Sequence, residues 1–158
     1  MLRILLRAAA ALFTVSAAAA GPIESPTAYD EMIAREANVH GVPEAFVHRI
    51  VMRESRFNPR LVHNHCFGLM QIKYATARGM GYRGDARGLL DAQTNLTYAV
   101  PYLANAYRLA DGNEDRATAL FSSGYYYVAK HKKMQDLLRT ASSPALTPEP
   151  APPLRRIE

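Results

Sequence analysis

Apolar residues recur at spacings of three and four along most of the chain, and alternating strand patterns are nearly absent. This periodicity indicates helices with one buried face. Pro101 predicts a kink or a break inside its helix. The predicted helices cover about 26–39, 43–54, 69–78, 92–110, 113–124 and 125–138, with turn composition over 58–68. The sequence therefore predicts an all-α fold.

Residues at the predicted helix ends support these boundaries. Gly41 is placed to close the first helix, and Pro43 suits the first turn of the second. Asn113, followed by Glu114 and Asp115, is a typical helix start, because an Asn side chain can cap the free N–H groups and acids favour the positive end of the helix dipole.

Glu54 stands out in the segment VMRESRF at 51–57, because it continues an apolar stripe formed by Val47, Ile50 and Val51. A carboxyl group on such a face loses hydration, which disfavours its charged form and raises its pKa. A glutamic acid in that state can donate a proton to a leaving group. Two other interpretations of Glu54 remain open. It can be a structural glutamate paired with an arginine, or the helix can end so that Glu54 faces the surface.

The two ends of the chain differ in composition from the middle. Residues 1–20 combine two arginines, an apolar run and an A-x-A end, which predicts a cleaved signal peptide and export to the periplasm. Residues 21–140 are predicted to form one domain, and the proline-rich stretch 141–158 is predicted to be a disordered tail. Without Arg3 and Arg7, the 19 basic residues fall to 17 against 14 acids, so the net charge of +5 becomes +3.

Charge and motifs exclude several function classes. The modest positive charge and the lack of aromatic RNA-binding motifs argue against nucleic acid as a partner. The sequence contains no phosphate-binding loop, dinucleotide fingerprint or paired C-x-x-C. His63 and His65 have no neighbouring acid, so no metal site is predicted. Cys66, the single cysteine, is expected to be a small packed residue, with a free thiol or an intermolecular link as alternatives.

Three segments together resemble the soluble lytic transglycosylase family, which cleaves bacterial peptidoglycan. They are ESRFNP at 54–59, GLMQI at 68–72 and DAQTNLTYAVPYL at 91–103. GLMQ begins fourteen residues after Glu54, and both the order and the separation of the segments are similar to those of the family. The resemblance implies a compact, lysozyme-like helical domain with a groove that binds a glycan strand.

The resemblance also implies roles for individual residues. Glu54 matches the single catalytic acid/base of the family, and Ser55 matches a serine that supports its placement or the substrate. For Leu69 and Met70, plain packing is an equal alternative to substrate contact. The segment implied to line the groove comprises Gly68, Leu69, Met70 and Gln71, and a buttressing helix is implied to carry Asn95, Tyr102 and Leu103.

A third family motif, commonly A-L-A-A-Y-N-A-G, is altered in this chain. Residues 117–124 read ATALFSSG, so Phe121 takes the place of a tyrosine whose hydroxyl hydrogen-bonds the glutamate in the family. Phe121 has no hydroxyl. Ser122, Ser123 or Tyr125 is therefore expected to replace it, with Tyr125 the first choice, unless Glu54 lies in a more apolar pocket.

The implied reaction cleaves the β-1,4 bond between N-acetylmuramic acid and N-acetylglucosamine and leaves a 1,6-anhydromuramic acid end. It requires neither a metal nor an organic cofactor. The alternatives are a lysozyme-type hydrolase and a non-catalytic wall-binding or assembly module. The expected partner is the peptidoglycan strand, bound by a monomer that serves either general wall remodelling or a secretion or conjugation apparatus.

Overall fold

Six α-helices and three two-residue strands account for most of residues 26–144, the part of the chain that the computed structural model describes. The helices are α1 (Asp30–His40), α2 (Glu44–Ser55), α3 (Tyr74–Gly79), α4 (Ala92–Leu109), α5 (Glu114–Ser123) and α6 (Tyr126–Lys132). Short 3-10 helices cover Pro26–Tyr29, Ala86–Leu90 and Gln135–Leu137. The strands β1 (Val62–His63), β2 (Cys66–Phe67) and β3 (Ile72–Lys73) form one antiparallel sheet in that order.

Helix α4 is the centre of the domain and packs against α1 and α5. Its predicted inner face is confirmed, since Leu96, Val100 and Leu103 are fully buried. Pro101 does not break the helix, which runs continuously through it. Because α2 packs on α1, its C-terminal end is fixed relative to this core. The all-α prediction is confirmed, with the small sheet as the exception.

Two of the predicted helix ends, at Gly41 and Asn113, are also confirmed. Gly41 closes α1 with a left-handed φ of 66°, which a residue with a Cβ adopts only at a cost. The Asn113 side chain accepts a hydrogen bond of 2.9 Å from the N–H of Arg116 and so caps α5. Each of these ends depends on a residue at the helix end and its sequence neighbours, which is why the sequence predicts them.

The helix predicted over 69–78 is wrong in its first half. Ile72 and Lys73 form β3 instead, and the helix begins only at Tyr74. Gln71 has a left-handed φ of 46°, and its side-chain amide donates to the carbonyl oxygens of Leu61 and Gly68, both at 2.9 Å. These long-range and turn contacts override the helical pattern of the segment.

The last helix is shorter than predicted. α6 ends at Lys132, because Lys133 adopts a left-handed φ of 55° and the Met134 N–H donates back to the Ala129 carbonyl. A 3-10 turn then follows. The basic run at 130–133 lies at the C-terminal end of α6, where positive charge is favourable.

The predicted signal peptide and residues 145–158 lie outside the described residues. The stretch 141–144 is described, and the N–H of Ala141 donates to the Gly79 carbonyl at 2.9 Å, so the chain still contacts α3 beyond residue 140. Within residues 26–144, no helix combines the length and apolar character that crossing a bilayer requires.

Candidate active site

A cavity of about 540 Å³ lies between the end of α2, the small sheet and the end of α5. This volume is in the range typical of ligand-binding sites. Helix α2 contributes Glu54, and the sheet region contributes both apolar and polar side chains. The remaining lining residues are Leu61, His63, Asn64, Cys66, Gln71, Ile72, Lys73, Thr76, Tyr102, Phe121, Ser122, Ser123 and Gly124.

Glu54 lies in the last turn of α2, at the edge of the buried stripe. Val47, Ile50 and Val51 face the core, whereas the Glu54 side chain is 21% exposed and borders the cavity. Ser55 follows it and is buried, donating its hydroxyl to the Val51 carbonyl at 3.2 Å. Ser55 therefore holds the helix end and does not line the cavity.

Burial raises the pKa of the Glu54 carboxyl above its usual value, in the direction that the sequence predicts. Arg53 opposes this shift: its Nε lies 3.8 Å from Oε1 of Glu54. The same guanidinium donates to the Ser122 hydroxyl at 3.4 Å, which links the ends of α2 and α5. Desolvation is the larger effect, because Arg53 is half exposed and water screens its charge.

Asn95 holds the turn at 68–71 in place from the neighbouring helix α4. Its Nδ2 donates to the carbonyls of Phe67 and Leu89, both at 2.8 Å, and its Oδ1 accepts from the N–H of Met70 at 2.9 Å. Asn95 is fully buried, so each of these bonds satisfies a polar group that water does not reach. The buttressing role implied for this residue thus has a direct geometric basis.

The structure corrects the expectation that the whole segment 68–71 lines the groove. Gln71 borders the cavity, but Gly68, Leu69 and Met70 are buried behind it. Gly68 lies so close to Asn95 that a Cβ atom there would be 2.3 Å from Nδ2. The first three residues therefore lie behind Gln71 and do not line the cavity.

Tyr125 is also placed differently from the expectation. It does not line the Glu54 cavity, and its buried hydroxyl accepts a hydrogen bond of 3.0 Å from Nδ2 of Asn105. The tyrosine that does border the cavity is Tyr102. Its ring centroid lies 4.6 Å from that of Tyr125 and 5.5 Å from that of Phe121.

The Tyr102 hydroxyl is the phenolic group available to the cavity. Burial raises its pKa, so it stays protonated and can donate a hydrogen bond. Within residues 26–144, no protein group hydrogen-bonds this hydroxyl. Ser122 borders the cavity as expected, but its hydroxyl is engaged with the Thr118 carbonyl at 3.1 Å and with Arg53.

The sequence analysis missed several lining residues that the small sheet brings together. His63 pairs with Cys66, and Cys66 pairs with Lys73, so all three strands contribute lining residues to the cavity. Since no strand pattern is visible in this segment, only the pairing register reveals them. No cluster of three or more metal-ligating side chains occurs within the described part of the chain.

The comparisons with known proteins agree with this architecture. Residues 31–141 match the family described as "Transglycosylase SLT domain". The chain therefore belongs to the transglycosylase SLT domain family. It is 28% identical over 107 residues to the "Soluble lytic murein transglycosylase" of Escherichia coli (strain K12), and equally to that of Escherichia coli O157:H7.

Each of these alignments covers 63% of this chain and 16% of the relative, so the chain spans only a small part of the length of these relatives. No solved structure matches the chain.

Proposed function

We propose that this protein is a peptidoglycan lytic transglycosylase in which Glu54 is the single general acid/base. The observation that carries the proposal is that Glu54 is the one carboxylic acid among the residues lining its cavity, with a pKa raised by burial. Glycosidases that use two carboxylates need a second one across the scissile bond. A single acid suits a reaction in which the substrate supplies the nucleophile.

In the proposed reaction, protonated Glu54 donates its proton to the β-1,4 oxygen that links N-acetylmuramic acid to N-acetylglucosamine. The N-acetyl group of the muramic acid stabilises the positive charge that develops at its anomeric carbon. Glu54, now a carboxylate, takes the proton of the 6-hydroxyl of the same sugar, and that oxygen closes the 1,6-anhydro ring. No water is consumed, and the proton returns to Glu54.

The cavity favours this acid/base cycle in two ways. The aromatic rings of Tyr102 and Phe121 exclude water beside Glu54, which keeps the carboxyl protonated at higher pH. The amide nitrogen of Gln71 is engaged by the carbonyls of Leu61 and Gly68, and no group of residues 26–144 donates to its side-chain oxygen. That oxygen can therefore accept a hydrogen bond from a sugar hydroxyl or an N-acetyl N–H.

Two alternative functions are compared with this proposal. A lysozyme-type hydrolase would use the same Glu54 with a water in place of the 6-hydroxyl, and it would yield reducing muramic acid ends. A non-catalytic wall-binding module is supported by Phe121, which lacks the hydroxyl that the family tyrosine provides. The chemical ends of the released fragments distinguish the hydrolase from the transglycosylase. The activity of Glu54 variants distinguishes an enzyme from the binding module.

The decisive experiment compares wild-type protein with Glu54→Gln on purified peptidoglycan, with mass spectrometry of the released fragments. Loss of an acid/base group is expected to lower the release of anhydromuropeptides by about 10²–10⁴-fold. Glu44→Gln is the matched control, because Glu44 is an exposed residue at the other end of α2. Equal release by wild type and Glu54→Gln would refute the enzymatic function.

The location follows from the proposed substrate. Peptidoglycan lies outside the cytoplasmic membrane, so we propose that residues 1–20 direct export to the periplasm and that the domain begins near residue 21. Edman sequencing of the protein recovered from the periplasm tests this, with Gly21 as the expected first residue. A protein that starts at Met1 in the cytoplasmic fraction would contradict it.

A further inference from the structure

Exposed hydrophobic side chains are concentrated in one short part of the described chain. Five large ones are exposed within residues 26–144, and three of them lie in residues 126–137. Tyr126 is 62% exposed, Tyr127 82% and Leu137 65%. The other two lie singly on α2 and β1. Single exposed hydrophobic residues are ordinary, whereas a group of them marks a surface that binds a partner.

The two tyrosines lie on the solvent side of α6, next to basic residues. Tyr126 and Lys130 are four residues apart, as are Tyr127 and His131, so the helix places them in two adjacent rows. All four side chains are exposed, and the two tyrosine rings contact each other edge to face, with their centroids 5.3 Å apart. Ala129, by contrast, is buried against the core. Helix α6 therefore presents rings and basic groups together to the solvent.

The excess positive charge of the chain lies in the same segment. Residues 125–140 contain four basic residues and one acid, so they carry an excess of three positive charges. The chain without residues 1–20 has a net charge of +3, so the rest of it is neutral overall. A local excess of this kind attracts an anionic partner to this side of the domain.

The lysines of this segment have different roles. Lys132 is engaged within the fold, because its ammonium group donates to the Leu109 carbonyl and to the Asp111 carboxylate, both at 2.8 Å. Lys130 and Lys133 are exposed, and neither forms an ion pair within the described part of the chain. The C-terminal end of a helix favours positive charge, but this effect does not account for the exposed rings beside it.

We name the group formed by Tyr126, Tyr127, Lys130 and Lys133 the α6 surface. Its chemistry matches the border of an anionic phospholipid bilayer. Tyrosine rings are favourable at the level of the lipid headgroups, because the ring is apolar and the hydroxyl stays in contact with water. Lysine ammonium groups are attracted to the lipid phosphates. Because Tyr127 is exposed over most of its surface, it can enter the headgroup region without a change in the fold.

We propose that the α6 surface binds the protein to an anionic phospholipid membrane. None of its four side chains borders the Glu54 cavity, so the membrane contact and the cavity use different parts of the protein. The proposal goes beyond the reaction proposed at Glu54 and does not depend on it. A bilayer fits better than a protein partner, which would need a groove of matching shape for the projecting rings.

The test measures sedimentation of the protein with lipid vesicles. The vesicles contain equal parts of phosphatidylcholine and phosphatidylglycerol, or phosphatidylcholine alone. The protein used begins at Gly21, because the apolar run within residues 1–20 would itself bind lipid. Each lysine near an anionic surface strengthens binding about fivefold, so Lys130→Gln/Lys133→Gln is expected to lower binding to the anionic vesicles about 25-fold. The wild type should bind the neutral vesicles only weakly.

A second variant and a matched control separate rings, charge and folding. Tyr127→Ser should weaken binding but leave its salt dependence unchanged, whereas the double lysine variant should lose most of that dependence. Arg83→Gln/Arg87→Gln removes the same net charge elsewhere, since both arginines are exposed and form no ion pair within residues 26–144. This control should bind like the wild type. Thermal denaturation checks that each variant is folded.

Three outcomes would overturn the membrane contact. The first is equal binding of the wild type to both kinds of vesicle, and the second is an equal loss in the arginine control. The third is a double lysine variant that loses sedimentation with purified peptidoglycan but not with vesicles, which would assign the α6 surface to the wall polymer. A wild type that binds anionic vesicles but releases no peptidoglycan fragments would instead refute the proposed enzymatic function and leave the membrane contact standing.

Discussion

The two walls of the Glu54 cavity are held in place by different kinds of contact. The sheet wall, residues 61–73, is held by buried hydrogen bonds from Asn95 and by the Gln71 side chain. The helix wall, residues 121–124 with Tyr102 behind them, is held mainly by ring packing. The sheet wall contains GLMQI, one of the segments that resemble the family, whereas the helix wall contains ATALFSSG, which departs from the motif that the resemblance implies.

The difference teaches which kind of contact tolerates change. A buried amide that satisfies three backbone groups has one workable geometry, because each lost bond leaves a desolvated polar group. Ring packing depends on area and shape, so Phe121 can pack against Tyr102 without the hydroxyl of a tyrosine. A hydroxyl can thus be lost from the helix wall while the fold of the cavity persists.

The largest loss of stability is expected from Gly68→Ala, because Gly68 lies in the sheet wall with no room for a Cβ atom. A Cβ at this position would lie 2.4 Å from the Leu89 carbonyl oxygen, in addition to the strain of a φ of 70°. Unfolding free energy should fall by about 3–5 kcal/mol. Thermal denaturation measures the loss. Gly41→Ala is the control, with a similar φ and open space, and an equal loss in both would contradict the clash.

Asn95→Ala should have the next largest effect, because it leaves three buried backbone groups without partners. The expected loss of stability is about 3 kcal/mol, and cleavage of peptidoglycan should fall as Gln71 loses its fixed position. Urea denaturation and activity are measured together. Asn113→Ala removes only a helix cap and should cost about 1 kcal/mol. Equal values for the two variants would show that the Asn95 network adds nothing beyond a cap.

Phe121→Tyr should change stability little and change the pH profile of cleavage. A hydroxyl that donates to the Glu54 carboxylate favours its charged form and lowers its pKa. The alkaline limb of the activity profile, where the proton donor is lost, should therefore move to lower pH. An unchanged limb would mean that the new hydroxyl does not reach Glu54. Tyr102→Phe is measured beside Phe121→Tyr, because it removes the hydroxyl of the tyrosine that already borders the cavity.

Arg53→Gln should have the smallest effect, and in the opposite direction. Arg53 lowers the pKa of Glu54, so its removal should raise that pKa and move the alkaline limb to higher pH. The shift should be small, because Arg53 is 52% exposed and its charge is screened by solvent. It should also shrink at high salt. A shift to lower pH would contradict this electrostatic assignment.

Sequence patterns predicted the helical core and the position of Glu54 because both depend on local spacing. The apolar stripe of α2 requires only the 3.6-residue period, and the caps at Gly41 and Asn113 require only neighbouring residues. The strand register and the left-handed turn at Gln71 depend on Asn95 and Leu61, which lie far away in the chain or on another element. No local pattern marks them, so the helix over 69–78 was predicted too long.

By itself, the sequence determined an all-α domain with one carboxyl at the edge of an apolar helix face, and it showed that a hydroxyl is absent at Phe121. The tertiary structure alone decided which tyrosine borders the cavity. Tyr125 is adjacent to the altered motif but bonds Asn105, while Tyr102 reaches the cavity from α4. Helix packing sets the direction of a side chain relative to distant elements, and no local spacing contains that information.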